Sequence, residues 1–172
     1  NIFFCLYLSS LVGLWFASVA SAQSIFIVPP TRVSLHNPQA MEGRRNRTTI
    51  SVDVPSDAGN GLKAVVLTQL PNIDQWDWGV AQPRVYFGQY SLRAVGEQGR
   101  ASASFAPTGD RVQINFSPEV QPGQTVNVVF RGFNPEANVY QWSVELWPLG
   151  EDPVRYTAGT LRTNVYDSDS LR

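Results

Sequence analysis

Little in this sequence could hold a transition metal, close a disulfide or attack a substrate as a nucleophile. There is one histidine (His36), one methionine (Met41) and one cysteine (Cys5) in 172 residues. Zinc and copper sites need several nitrogen or sulfur ligands, so a site of that kind within one chain is not expected. Ser–His–Asp chemistry would have to use His36, and no Gly-x-Ser-x-Gly elbow occurs. His36 stands beside Asn37-Pro38, a turn context, and reads as a plain surface residue. No Walker loop or dinucleotide glycine fingerprint is present, and Gly96-Glu97-Gln98-Gly99 reads as a loop between strands. Calcium needs only oxygens, which Asp74 with Asp77 or Glu151 with Asp152 could supply. No spaced acidic loop of the EF-hand kind occurs, so these read as solvated loop residues. A pair of carboxylates is all that glycoside hydrolysis requires, but short loops leave little room for a deep cleft. No cofactor is implied, and an enzyme is not expected.

Charge is also sparse. The formal net charge is −1, and the first 31 residues carry no charged side chain. A balance near neutrality gives no long-range field to draw in nucleic acid or an anionic membrane. Of the 13 basic residues only Lys63 is lysine. Arginine binds carboxylates and stacks on aromatic rings better than lysine does, so the bias suggests surface contacts; genome composition accounts for it equally well.

The uncharged start is an apolar stretch from Ile2 to Val19 followed by Ala20-Ser21-Ala22. That small-x-small ending before Gln23 predicts a signal peptide over residues 1–22, cut between Ala22 and Gln23. The start lacks an initiator Met and a basic n-region, as a truncated precursor would. The alternative is an uncleaved anchor, because about 18 apolar residues can just span a bilayer. Ser9-Ser10, Gly13 and the Ala-Ser-Ala ending favour cleavage, after which no stable membrane span is expected. Residues 23–172 then contain no cysteine, so the exported domain must be held by its core alone. About 150 residues can bury close to 70% of their unfolded surface, which makes this feasible.

No helical periodicity is evident, and 12 prolines and 13 glycines cut the chain into short pieces. The pieces are rich in Val, Ile, Thr, Tyr, Phe and Trp. Thr48–Val54, Arg111–Phe116, Thr125–Phe130 and Val139–Trp147 alternate with period two. They place Ile50, Val52 and Val54; Val112, Ile114 and Phe116; Val126, Val128 and Phe130; and Tyr140, Trp142, Val144 and Leu146 on inward faces. Leu62–Gln69 is more continuously apolar, as a strand covered on both faces would be. Ser24–Val28 and Thr31–Leu35 read as an edge strand broken by Pro29-Pro30. Arg84–Val95 reads as a strand bending at Gly88, and Val154–Tyr166 as one or two more strands. Ala101–Ala106 is a short strand of small residues. Asp57-Ala58-Gly59, Pro107–Asp110 and Pro122-Gly123 carry turn chemistry. The sum is an all-β, immunoglobulin-like β-sandwich of about eight or nine short strands over residues 23–166, ending in a polar tail, 167–172.

Ile73-Asp74-Gln75-Trp76-Asp77-Trp78 sets two tryptophans in a polar loop, where alternate spacing puts both rings on one side. Exposed, they would form a ligand-binding surface with Arg84 and Tyr86, suited to sugars or to a protein partner. Buried, they would cap the open end of the sandwich, the more usual fate of tryptophan.

Several segments taken together resemble one family: Pro55-Ser56-Asp57-Ala58-Gly59 followed by Leu62 and Gln69, Phe116 to Gly123, Asn134-Pro135, and Tyr140 before Pro148-Leu149-Gly150. In order and spacing the pattern is similar to the cyanobacterial domain of unknown function 2808 family, from about Ile25 to Tyr166. The resemblance implies a cyanobacterial source, an exported precursor and one small β-rich domain. It implies no activity and assigns no functional residues. The stretch Ala40–Arg47, with Arg44, Arg45 and Arg47, reads as an exposed insert. The expected function is a non-enzymatic envelope structural or protein-interaction module in the periplasm, at the cell surface or in the thylakoid lumen. The alternative is a carbohydrate-binding module for envelope or extracellular polysaccharide. The partner is accordingly an envelope protein or a polysaccharide.

Overall fold

A computed structural model describes residues 22–167. The segment expected to be the signal peptide therefore lies outside the described residues, apart from exposed Ala22, and so does most of the polar tail. The strands are β1 (Arg32–His36), β2 (Arg45–Asn46), β3 (Thr49–Asp53), β4 (Leu62–Gln69), β5 (Arg84–Phe87) and β6 (Glu97–Gly99). They continue with β7 (Ala101–Phe105), β8 (Arg111–Val120), β9 (Thr125–Val129), β10 (Gly132–Phe133), β11 (Val139–Pro148) and β12 (Tyr156–Asn164). Nine of these have four residues or more; β2, β6 and β10 are shorter.

They form two antiparallel five-stranded sheets, β1-β3-β9-β5-β6 and β12-β11-β4-β8-β7, plus the small ribbon β10-β2. The two sheets pack face to face as an immunoglobulin-like sandwich. The inward residues anticipated on β3, β8, β9 and β11, with their flanking residues Val54 and Phe130, are all exposed by 2% or less. Facing them, Val65 and Leu67 of β4 are fully buried. Each such side chain contributes about 1.5–3 kcal/mol through removal from water, and no disulfide assists. The opposite face of β4 is buried too, with Val66 1% and Ala64 4% exposed. Among the described residues no third layer covers it. Val66 lies in register between Glu145 and Gln113, and Ala64 between Trp147 and Asn115, so neighbouring side chains do the shielding.

Several local expectations are revised. Ser24–Val28 is not a strand: it makes a single parallel bridge, Ser24 to Pro153, and crosses one end of the sandwich. Residues 96–99, read as a loop, include β6, because Glu97–Gly99 folds back in register on β5. The strand from Arg84 stops at Phe87, where Gly88 takes a φ of 110°. The strand ending at Phe116 in the sequence reading runs on to Val120. The exposed insert 40–47 is half structured: β2 pairs with β10, and Met41 bridges Tyr166.

The sheet edges are partly covered. Ser24 at one end and Met41 at the other tie the N-terminal stretch along β12, and β1 packs beside it. On β7, the outward N–H of Ala103 donates to Gln82 Oε1 at 2.9 Å. Such devices block edge-to-edge pairing with other chains.

Candidate functional site

The loop 70–80 closes the end of the sandwich where β4 finishes. Gln69, the last residue of β4, fixes it: its amide donates to Asp74 O and accepts from the Trp76 N–H, both at 2.8 Å. The pinned loop turns Trp76 and Trp78 inward, leaving them 3% and 4% exposed. Trp76 packs edge-on against Trp142 and Tyr140, and Trp78 against Phe130. The alternation that set both rings on one side holds, but that side is the interior. Their planes differ by 57°, so they offer no flat platform. Arg84 and Tyr86 lie elsewhere, on the outer face of β5. Arg84 is exposed, whereas Tyr86 is 1% exposed beneath the loop 88–96. The four residues therefore do not share a surface, and the aromatic patch expected of them is not assembled.

The acids of the same end hold loop backbone. Asp77 accepts the N–H groups of Gly79 and Phe133, Asp74 that of Glu136, and Glu42 that of Ala137. Glu42, Asp74 and Glu136 line an open hollow of about 510 Å³ with Asn134 and Pro135. Among the described residues no three His, Cys, Asp or Glu side chains are placed to hold a metal ion. Tyr140 donates to Glu136 O at 2.8 Å. Its phenol is pushed up to about 12 by burial, then by the charges of Asp74 and Glu136.

Beneath this hollow lies a buried amide pair. Asn46 Nδ2 donates to Asn134 Oδ1 and to Gln39 O, both at 2.9 Å. Asn134 Nδ2 donates to Gln39 O and Met41 O. These bonds clamp the 39–46 stretch to the segment after β10, and place Arg45 and Arg47 next to Arg131.

His36 is not the plain surface residue expected. It ends β1, where its ring stacks on Tyr90 with centroids 3.6 Å apart and planes 6° apart. Tyr90 reaches it because the loop 88–96 arches over β9 and β3. Asn127 supports that arch, accepting from Ser51 Oγ at 2.6 Å and donating to Gly88 O at 2.7 Å. Burial lowers the His36 pKa and raises that of Tyr90. The two residues are 54 apart in sequence, and no local pattern links them.

At the opposite end of the sandwich, Ile25, Ile27, Val28, Leu149 and Val154 are between 36% and 75% exposed. They are neighbours because Ser24 is bonded to Asp152 and Val154, Ile27 to Ala58, and Leu149 to Gly61. The neighbouring Phe26 is buried and anchors the crossing.

Among solved structures, an uncharacterized Nocardia farcinica protein with an immunoglobulin-like fold is 16% identical, with 78% of this chain and 97% of that one covered and a TM-score of 0.47. The collagen-binding subdomain of the Enterococcus faecalis surface protein ACE is 9% identical, with 77% and 95% covered and a TM-score of 0.46. A collagen-binding domain from a Staphylococcus aureus adhesin is 4% identical, with 78% and 96% covered and a TM-score of 0.43. Likeness at this level carries nothing about ligands. No curated protein matches the sequence. The family described as "Protein of unknown function (DUF2808)" matches residues 23–165, nearly the whole described domain, and the chain belongs to that family.

Proposed function

We propose that the protein is an exported, non-enzymatic β-sandwich that serves as a structural or protein-interaction module of the cell envelope. The leader 1–22 directs export and is removed after Ala22, and residues 23–166 act as the working unit. One observation carries the reading: Ile25, Ile27, Val28, Leu149 and Val154 are exposed at one end of the sandwich, on segments joined by backbone hydrogen bonds. Large aliphatic side chains gathered at one place on a surface mark a contact for another protein. Burial of Trp76 and Trp78 takes from the polysaccharide alternative the stacking faces first assigned to it.

A photo-reactive amino acid at Ile27, activated in intact envelopes of the producing cells, tests the proposal. A discrete protein adduct is expected. It should disappear when Ile25→Asp and Val154→Asp are combined and persist with Ile73→Asp at the other end. No adduct, or one indifferent to the apolar end, refutes the reading.

A further inference from the structure

We propose that Arg45, Arg47, Arg131 and Phe133 form a binding site for an acidic polysaccharide, one bearing sugar-borne carboxylate or sulfate groups. It lies at the opposite end of the sandwich from the apolar patch and stands independently of the protein-partner reading. The three arginines and Asn46 line a hollow of about 370 Å³ that contains no carboxylate. The two ion pairs among the described residues, Arg32–Asp53 and Arg155–Glu145, involve none of the three. Asp77, whose two oxygens accept the N–H groups of Gly79 and Phe133, forms no ion pair with any of the three among the described residues. Among the described residues, Arg47 is the one of the three whose guanidinium makes a hydrogen bond, to Leu92 O at 2.7 Å. The forks of Arg45 and Arg131 remain available, in the planar geometry that matches a carboxylate or sulfate two bonds at a time.

The site is positioned by backbone. β2 and β10 place Arg45 directly opposite Phe133, so their side chains project from the same side of the ribbon. A Cβ on Gly79 would collide with the carbonyl of Arg131, and one on Gly132 with that of Asp77. Only glycine lets these two loops touch, and the contact holds Arg131 beside the ribbon. The Asn46–Asn134 clamp below it is buried.

Phe133 selects the class of anion. It is 54% exposed and stands in register opposite Arg45. A free phosphate would use the guanidinium groups and leave the ring idle. An acidic sugar uses both, presenting its anionic group to the arginines and the C–H face of its ring to the phenyl.

Calorimetry on the purified protein with polygalacturonate, dextran sulfate, neutral dextran and poly-glutamate is the test. Saturable binding of at least one acidic polysaccharide is expected, with none of neutral dextran; the two acidic polymers separate uronate from sulfate recognition. Combining Arg45→Gln and Arg131→Gln should weaken binding by about a hundredfold, two charge-assisted contacts each counting about tenfold. Phe133→Ala should weaken it by about fivefold with the salt dependence unchanged, because no charge is removed. These exposed side chains lack polar partners, so the melting temperature should stay constant and folding is controlled for. Equal binding of poly-glutamate, indifference to Phe133→Ala, or no binding of either acidic polymer overturns the proposal.

Discussion

Trp76 stands perpendicular to Trp142, with ring centroids 5.2 Å apart and planes at 88°. Among the described residues neither indole N–H has a hydrogen-bond acceptor. An edge-to-face arrangement lets an N–H group point at a ring face, a weak but real interaction in a dry interior. Trp76→Ala should therefore cost about 3–5 kcal/mol, the range for removing a buried aromatic, and Trp76→Phe clearly less. Urea unfolding followed by far-UV circular dichroism measures both. A cost below about 1 kcal/mol would mean that the ring is not packed as described.

The Asn46–Asn134 pair predicts a coupled loss. Asn134→Ala removes the bonds its amide donates to the Gln39 and Met41 carbonyls and the acceptor of the Asn46 amide, and should cost about 1–3 kcal/mol. Asn46→Ala strands part of the same network, so the double variant should fall short of the sum by about 0.5–3 kcal/mol. Amide exchange should quicken at Gly43 and Tyr166, whose N–H groups bond within the clamped segment. Strict additivity would show that the two amides act separately.

The stacked pair on the outer face sets a pH window. Burial holds the folded-state pKa of His36 below its ordinary 6.5. The unfolded chain then binds more protons than the folded one between the two values, and stability is lost as pH falls from 6.5 through the folded value. Tyr90 behaves in the opposite sense. Burial, aided by Tyr86 and opposed by Arg47, lifts its phenol above 10.0, so its contribution is complete below that pH and is lost as pH rises through the raised value. His36 is the only histidine, so its ring protons report the titration without assignment. His36→Phe should flatten the acid limb of stability near its onset while keeping the stack; an unchanged limb would show that another group controls it.

The edge strand β7 makes a prediction about association. Gln82→Ala removes the acceptor that covers the Ala103 N–H. The uncovered strand Ala101–Phe105, with small side chains and an exposed Phe105, then resembles an open pairing template. Light scattering should show greater self-association in the variant, and Ala103 should exchange its amide proton faster. A variant that stays as dispersed as the parent would mean that side-chain choice alone protects the edge.

The sequence carried the sandwich because alternation with period two is a local property. Ile50, Val52, Ile114, Val128 and Trp142 could be assigned to inward faces without knowing which strand lay opposite. It carried the surface poorly because surfaces are made by distant segments. Alternate spacing sets Trp76 and Trp78 on one side of their segment. Whether that side was wet depended on Gln69, whose hydrogen bonds to the loop have no signature in the intervening residues. β6 was hidden for a related reason: its pairing comes from the return of the chain after Gly88, and Glu97-Gln98-Gly99 has no alternation of its own to show. The arginines at 44–47 were visible as a cluster, but their companion Arg131 comes from another strand connection entirely.

β4, about 23 Å long over its eight residues, runs from the apolar end near Leu62 toward the arginine end beyond Gln69. Tension between a protein held at one end and a polymer held at the other would act nearly parallel to the strands. Each ladder on either side of β4 would then be loaded in shear, all its rungs sharing the strain at once instead of parting one after another. A module built this way can serve as a stiff coupler under pull, and single-molecule stretching between the two ends should meet more resistance than stretching across the sheets.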